Sequence, residues 1–185
     1  MKTSIRLIGM LVLLLSTALL TSAQTPKYEV GGQIFSFQGK EVGFGWGAGG
    51  RFTYNLTRHI AVDSELNAFL DDEGGITMTQ GFAGAKVGAR NKIVGVFAKA
   101  RPGFMTNFAK PAPDFATTFN TEPLNKFAFD VGAVFEVYPS RHTAFRVDVG
   151  DVIIPFGNDT ILASGPAKLG TTHNFQYSLG FSLRF

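Results

Sequence analysis

The sequence contains no cysteine, so no disulfide can staple the fold, although small exported domains with thin cores commonly depend on such staples. Histidine is nearly absent too: His59, His142 and His173 are all there is. They lie on separate segments and do not form the clustered ligand set of a metal site, so neither a metal nor a cofactor is expected. Beyond residue 26 no apolar run reaches the roughly 20 residues of a membrane-spanning helix, and amphipathic helical periodicity is missing. Charged residues make up only 17% of the chain. None gather into the basic runs that neutralise phosphates, which excludes nucleic acid as a partner.

What is present begins with an export signal. Lys2 and Arg6 make a short basic start, residues 7–20 form a Leu-rich apolar run, and Thr21-Ser22-Ala23 supplies small residues. This is the pattern of a cleaved secretory signal, with the cut expected after Ala23. The run is short for a membrane anchor. Residues 1–23 are thus read as a signal peptide and residues 24–185 as one mature domain. The full chain has 17 Lys+Arg against 14 Asp+Glu; losing Lys2 and Arg6 leaves 15 against 14, a net +1.

The mature part alternates with a period of two. Segments 28–36, 46–56, 59–70, 77–90, 92–104, 127–138, 143–150 and 175–185 each place apolar residues on one face and small or polar residues on the other, as strands do. Trp46, Phe52, Tyr54 and Leu56, for example, oppose Arg51, Thr53 and Asn55. About eight strands are predicted. Thr57-Arg58, Asn91 and Pro139-Ser140-Arg141 mark tight turns, whereas 38–43, 71–76, 108–126 and 151–172 are longer connections. Short turns at one end and long loops at the other predict a closed antiparallel up-and-down transmembrane β-barrel with both termini on the periplasmic side. Pro102 falls within a strand, where it cannot donate to a ladder, so a bulge or strand end is expected there.

A soluble, lipocalin-like barrel would show the same alternation with the apolar face inward. Three features favour the inverted arrangement. The charged phase is sparse, whereas a solvated face carries roughly 25–35% charge. Its charges nearly balance: Arg51, Lys86, Arg90, Lys99, Arg101, Arg146 and Arg184 against Glu29, Asp63, Glu65, Asp130, Glu136 and Asp148. A narrow interior needs such balance, because an unpaired buried charge is costly. Aromatics also gather near strand ends, Trp46, Phe104, Phe127, Phe129, Phe175 and Tyr177 at one and Tyr28, Tyr54, Phe145 and Phe185 at the other, as in the two girdles at membrane interfaces.

The last strand carries Tyr177, Leu179, Phe181, Leu183 and Phe185 in one phase and resembles the carboxy-terminal signal read by the outer-membrane assembly machinery of bacteria. The stretch 47–66 resembles a hairpin of small OmpA/OmpX-like barrels. The resemblance implies a bacterial outer-membrane location, with lipid, lipopolysaccharide and the assembly machinery as partners, and a monomer.

Other candidates are weaker. The glycines from Gly43 to Gly50 lead into a strand, not the helix that a nucleotide loop requires, and read instead as room for large neighbours in a narrow bore. Ser140 beside His142 is the nearest nucleophile–base pair, but it lies in a turn and lacks an orienting acid. His173 has no inward acid on its own strand. Asp71-Asp72-Glu73 forms an acidic loop tip, read as a solvated turn rather than a cation site shared with lipopolysaccharide. Three functions compete: a plugged barrel with a structural or surface-interaction role, a narrow pore for ions or small solutes, and a lipid-modifying barrel enzyme. Eight strands enclose little beyond their own side chains, which favours the first; no catalytic residues are expected.

Overall fold

The computed structural model describes residues 26–39, 43–70, 75–107, 124–157, 160–162, 165–167 and 170–185. The signal segment and the acidic tip at Asp71–Glu73 lie outside them. Among the described residues every regular element is a strand: β1 (Tyr28–Gly39), β2 (Gly43–Asn55), β3 (Ile60–Leu70), β4 (Ile76–Arg90), β5 (Val94–Asn107), β6 (Leu124–Ser140), β7 (Thr143–Gly157), β8 (Thr160–Leu162), β9 (Gly165–Ala167) and β10 (Gly170–Arg184). Eight of them close into an antiparallel barrel in the order β1-β10-β7-β6-β5-β4-β3-β2, and β8 pairs with β9 in a separate hairpin. Apart from that hairpin, which joins β7 to β10, each strand pairs with its sequence neighbours. The seam joins β1 to β10 from Glu29↔Arg184 to Gly39↔Asn174. Tyr28 and Phe185 extend it by exchanging backbone hydrogen bonds of 3.1 and 2.8 Å.

Burial decides which face is wet. Val30, Ile34, Leu66, Val87, Val147 and Leu179 are exposed on the outside, whereas Asp63, Lys86, Arg101 and Asp130 are wholly buried inside. The soluble-barrel alternative requires the opposite arrangement and is thereby overturned. Trp46, Phe104, Phe127, Phe175 and Tyr177 project outward near the long-loop end, joined by Phe44; Tyr28, Phe145 and Phe185 do so at the other.

The turns show how local chemistry sets the hairpins. Asn91 Oδ1 accepts from the N–H groups of Ile93 and Val94 at 2.7 and 2.8 Å, a side-chain turn that suits Asn. Thr57 Oγ1 does the same for His59 and Ile60 at 3.0 Å each. The third turn is shifted from the sequence expectation. Pro139 and Ser140 still belong to β6, the register slips between Val137 and Ser140, and Arg141–His142 make the turn. Pro139 lacks the N–H that would have kept the ladder regular.

Pro102 also departs from expectation, because β5 neither ends nor bulges there. The β4–β5 ladder omits the rungs opposite Arg101 and Pro102, then resumes in unchanged register from Phe82↔Gly103. The β5–β6 ladder runs through Pro102↔Phe129 without a break. The proline ring points outward and its missing donor faces β4, so the cost falls on one ladder only. At the long-loop end the strands run further than the alternation predicts: β7 continues to Gly157, β10 begins at Gly170, and β5 and β6 reach Asn107 and Leu124. The connections expected at 151–172 and 108–126 are correspondingly shorter.

Candidate functional site: the filled lumen

Inward positions of all eight barrel strands converge on one column of side chains. Glu29, Arg51, Asp63, Glu65, Lys86, Arg90, Lys99, Arg101, Asp130, Glu136, Arg146, Asp148 and Arg184 are all buried there, none more than 5% exposed. Arg101 is the hub. Its Nη1 donates to Asp63 at 2.7 Å and to Glu65 at 2.9 Å, and its Nε and Nη2 both engage Asp130. Arg146 grips Asp63 with two parallel bonds of 2.8 and 2.9 Å and reaches Asp148 at 2.6 Å. A bidentate guanidinium–carboxylate pair is the ionic contact best able to offset desolvation.

Register explains why the network crosses the bore. Lys86 and Lys99 are direct partners on β4 and β5, and like charges so placed repel. They diverge: Lys86 Nζ donates to Glu136 at 2.6 Å, while Lys99 Nζ engages Asp130 at 2.7 Å and also Asp148. Arg51 and Glu65 are partners across β2 and β3, yet their charged atoms stay 3.9 Å apart, because Glu65 is held by Arg101. Near the short-turn end Glu29 takes Arg90 at 3.2 Å, Arg184 at 3.3 Å and the Asn55 amide at 2.7 Å.

Neutral groups complete the network; alternation puts Gln33, Thr53, Asn67, Gln80 and Gln176 on the polar face but gives none of their partners. Thr53 donates to Asp63 at 2.6 Å, Tyr138 to Glu136 at 2.5 Å and Asn67 to Glu65 at 2.9 Å. Gln33 donates to Asn67 at 2.6 Å, and Gln80 to Gln176 at 2.7 Å. Phe97 lies under both Lys86 and Arg90, 4.8 and 4.6 Å from its centroid. Their inward phase could have identified all of these residues.

The second feature missed is apolar. Toward the long-loop end the bore is packed with Phe35, Phe37, Phe69, Phe82, Met105, Ala128, Val152 and Ile154. Phe69 meets Phe35 and Phe37 edge-on, with centroids 4.8 and 5.5 Å apart. Glycines on β2 make this possible: a Cβ at Gly45 would fall 2.9 Å from the Phe69 ring, and one at Gly47 2.8 Å from the Phe35 ring.

The remaining candidates separate. Ser140 Oγ is 2.8 Å from Thr143 Oγ1 and accepts from the His142 backbone at 3.1 Å, while the His142 ring lies against the Arg184 carbonyl at 3.4 Å. They make a turn, not a nucleophile–base pair. His59 Nδ1 is 2.9 Å from the Gly88 carbonyl. His173 does have an acid, on the neighbouring strand: Asp151 of β7, expected in a loop, lies 2.6 Å away. Both face outward, and Asp151 also accepts from the Asn174 N–H at 3.0 Å. Among the described residues no group of three or more His, Cys, Asp or Glu is arranged to hold a metal.

No protein-family model matches the chain, and no curated protein matches its sequence. Solved structures do match its shape. The N-terminal β-barrel domain of Pseudomonas aeruginosa OprF superposes with a TM-score of 0.59 at 11% identity, over 88% of this chain and all of that one. The outer membrane protein OprG of the same organism gives 0.53 at 11% identity, over 88% of this chain and 97% of that one. Neisserial surface protein A gives 0.53 at 10%, over 86% and 97%. With its closed eight-stranded sheet, apolar exterior and charged bore, the chain has the fold of the small OmpA/OmpX-like outer-membrane β-barrels.

Proposed function

We propose that the chain is exported, loses residues 1–23, and resides in the bacterial outer membrane as a non-enzymatic barrel. Its role is structural or surface-interacting, exercised through the outer rim and loops rather than through a channel. The observation that carries this reading is the occupied bore: an ion-pair column crosses it from Glu29 to Asp130, and a phenylalanine-rich layer lies above. Eight strands leave room for little more than such side chains. The location is supported by the outward apolar band and by neighbours that are themselves outer-membrane proteins. The pore reading requires a continuous polar path, which the apolar layer opposes.

Conductance in planar bilayers tests the role. The pure, folded wild-type barrel is expected to show little or none; a frequent, stable open channel would overturn the plugged reading in favour of a pore. Fractionation of the host, followed by gel mobility with and without boiling, tests the location. Heat-modifiable protein in the outer-membrane fraction, with a mass matching a start at Gln24, is expected. Protein retaining residues 1–23 would contradict processing.

A further inference from the structure

Every connection at the short-turn end carries one basic residue and no acid. Arg58 lies between β2 and β3, Lys92 between β4 and β5 and Arg141 between β6 and β7, and Lys27 leads into β1. The backbone holds these positions in a ring. The carbonyls of Lys27, His59, Ile93 and His142 accept from the N–H groups of Asn55, Gly88, Tyr138 and Arg184 at 2.7–2.9 Å, so each turn is tied to the next strand around the barrel. Lys27, Lys92 and Arg141 are exposed and Arg58 is half-buried. Among the described residues none of the four is within ion-pair distance of a carboxylate. Arg58 engages only the His59 ring, through Nε at 3.0 Å. Beneath the ring Arg90 and Arg184 share one oxygen of Glu29, at 3.2 and 3.3 Å, which puts the lumen's surplus positive charge at the same end. Even with the terminal carboxylate of Phe185 counted, cations outnumber carboxylates here. The longer connections, residues 40–42, 71–75, 108–123 and 158–169, carry the opposite balance, seven acids against three bases.

The same rim is apolar where a water-facing turn would be polar. Ile93, next to Lys92, is 66% exposed, and Leu56, two residues before Arg58, is 56% exposed. Phe145 and Phe185 project outward at this end, and the Tyr28 and Tyr54 rings lie together with centroids 5.3 Å apart. Unpaired cations beside exposed aliphatic and aromatic side chains suit the headgroup region of a bilayer, where the apolar bodies enter the acyl layer and the charges reach phosphate. A soluble acidic partner accounts for the cations and not for Ile93 and Leu56. We infer that the short-turn rim binds the phosphate groups of anionic phospholipids in the leaflet that surrounds it. The guanidiniums of Arg58 and Arg141 meet phosphate oxygens as a fork, and Lys27 and Lys92 act as point charges. The excess of cations favours lipids of net negative charge over zwitterionic ones.

The inference rests on the membrane reading proposed above, and its test separates the two. The folded barrel is reconstituted in phosphatidylcholine vesicles containing a minor fraction of phosphatidylglycerol. Trp46 is the only tryptophan, so Trp46→Phe with Ile93→Trp puts a single emitter on the rim, and brominated acyl chains report which lipid lies beside it. Brominated phosphatidylglycerol is expected to quench several-fold more than brominated phosphatidylcholine at the same mole fraction. The excess should shrink as salt approaches roughly 1 M, where the screening length is about 3 Å. Lys27→Gln, Arg58→Gln, Lys92→Gln and Arg141→Gln together should abolish it; Lys110→Gln with Lys168→Gln, in the long connections, should not. Should the fourfold variant insert poorly, Lys92→Gln with Arg141→Gln, on hairpins joined through Ile93 and Tyr138, decides, and is expected to lower the excess about two-fold or more. Equal quenching by the two lipids in inserted protein, or an excess that survives loss of the cations, would overturn this inference alone. Emission quenched by neither lipid would place the turns in water, open to a soluble acidic partner, and would overturn it as well. Protein that inserts into no bilayer would overturn the membrane reading and this inference with it.

Discussion

At the scale of single residues, the bore is governed by the cost of leaving a charge alone. Glu136 accepts from Lys86 at 2.6 Å and from Tyr138 at 2.5 Å, with Arg146 at 3.8 Å. Lys86 is wholly buried, and Glu136 is its only carboxylate within ion-pair distance among the described residues. Glu136→Ala is therefore expected to destabilise the barrel by about 3–5 kcal/mol, the usual penalty for breaking a buried pair. Asp71→Ala, in a connection outside the described residues, serves as the reference and should cost far less. Urea unfolding in detergent or lipid measures both; equal losses would show that Lys86 does not need this partner. Lys86→Met combined with Glu136→Leu removes both charges and should recover much of the loss, because the pair's net contribution is smaller than the penalty for orphaning one member. The charged members of the network were legible in the sequence, since they share one phase and nearly cancel. Their pairings were not: Lys86 and Lys99 oppose each other in register, and their acids lie on other strands.

At the scale of elements, legibility followed contrast between faces. β3 reads clearly because Asp63, Glu65 and Asn67 alternate with Val62, Leu66 and Ala68. The last turns of β7 do not, because Val152 and Ile154 face in while Ile153 and Pro155 face out. With both faces apolar the period disappears, and alternation no longer marks a strand. Phe35 and Phe37 escape for another reason: the phase inverts at the end of β1, with the rings inward and Ser36 and Gln38 on the outer face. The closing strand supplies two predictions. β10 presents Tyr177, Leu179, Phe181 and Leu183 outward, and Phe185 completes the seam with Tyr28. Phe185→Asp is expected to lower the amount of heat-modifiable protein in the outer membrane several-fold; unchanged levels would exclude a role in assembly. Spin labels at Val96, Val131 and Leu179 should be accessible to oxygen and not to a water-soluble relaxant. Arg at Leu179 should cost roughly 2–4 kcal/mol if it lies near the bilayer midplane. Labels quenched only by the aqueous reagent would place this face in water.

At the scale of the whole molecule, the plugged reading places two barriers in series, made by different chemistry. In the half nearer the termini the bore is occupied by paired charges; in the other half Phe35, Phe37, Phe69 and Phe82 pack with aliphatic neighbours beside the buried amides of Gln80, Gln176 and Asn174. An ion crossing the first must displace a bonded partner. An ion crossing the second must shed water against rings and against amides that are already engaged, Gln80 with Gln176 and Asn174 with the Val152 carbonyl, which works on the principle of a hydrophobic gate. Series barriers protect each other, so weakening one alone should not open the barrel. Glu65→Ala is expected to lower stability, because Arg101 and Arg51 both lose a carboxylate, while bilayer conductance stays near background. Phe37→Ser with Phe69→Ser should loosen the apolar layer and again leave little current, because the ion pairs still span the bore. Only the three changes together should give resolvable openings. Current from the phenylalanine pair alone would mean that the charge column does not block ions, and current from Glu65→Ala alone would mean that the apolar layer does not. Either outcome would reduce the plug to a single layer and identify which one.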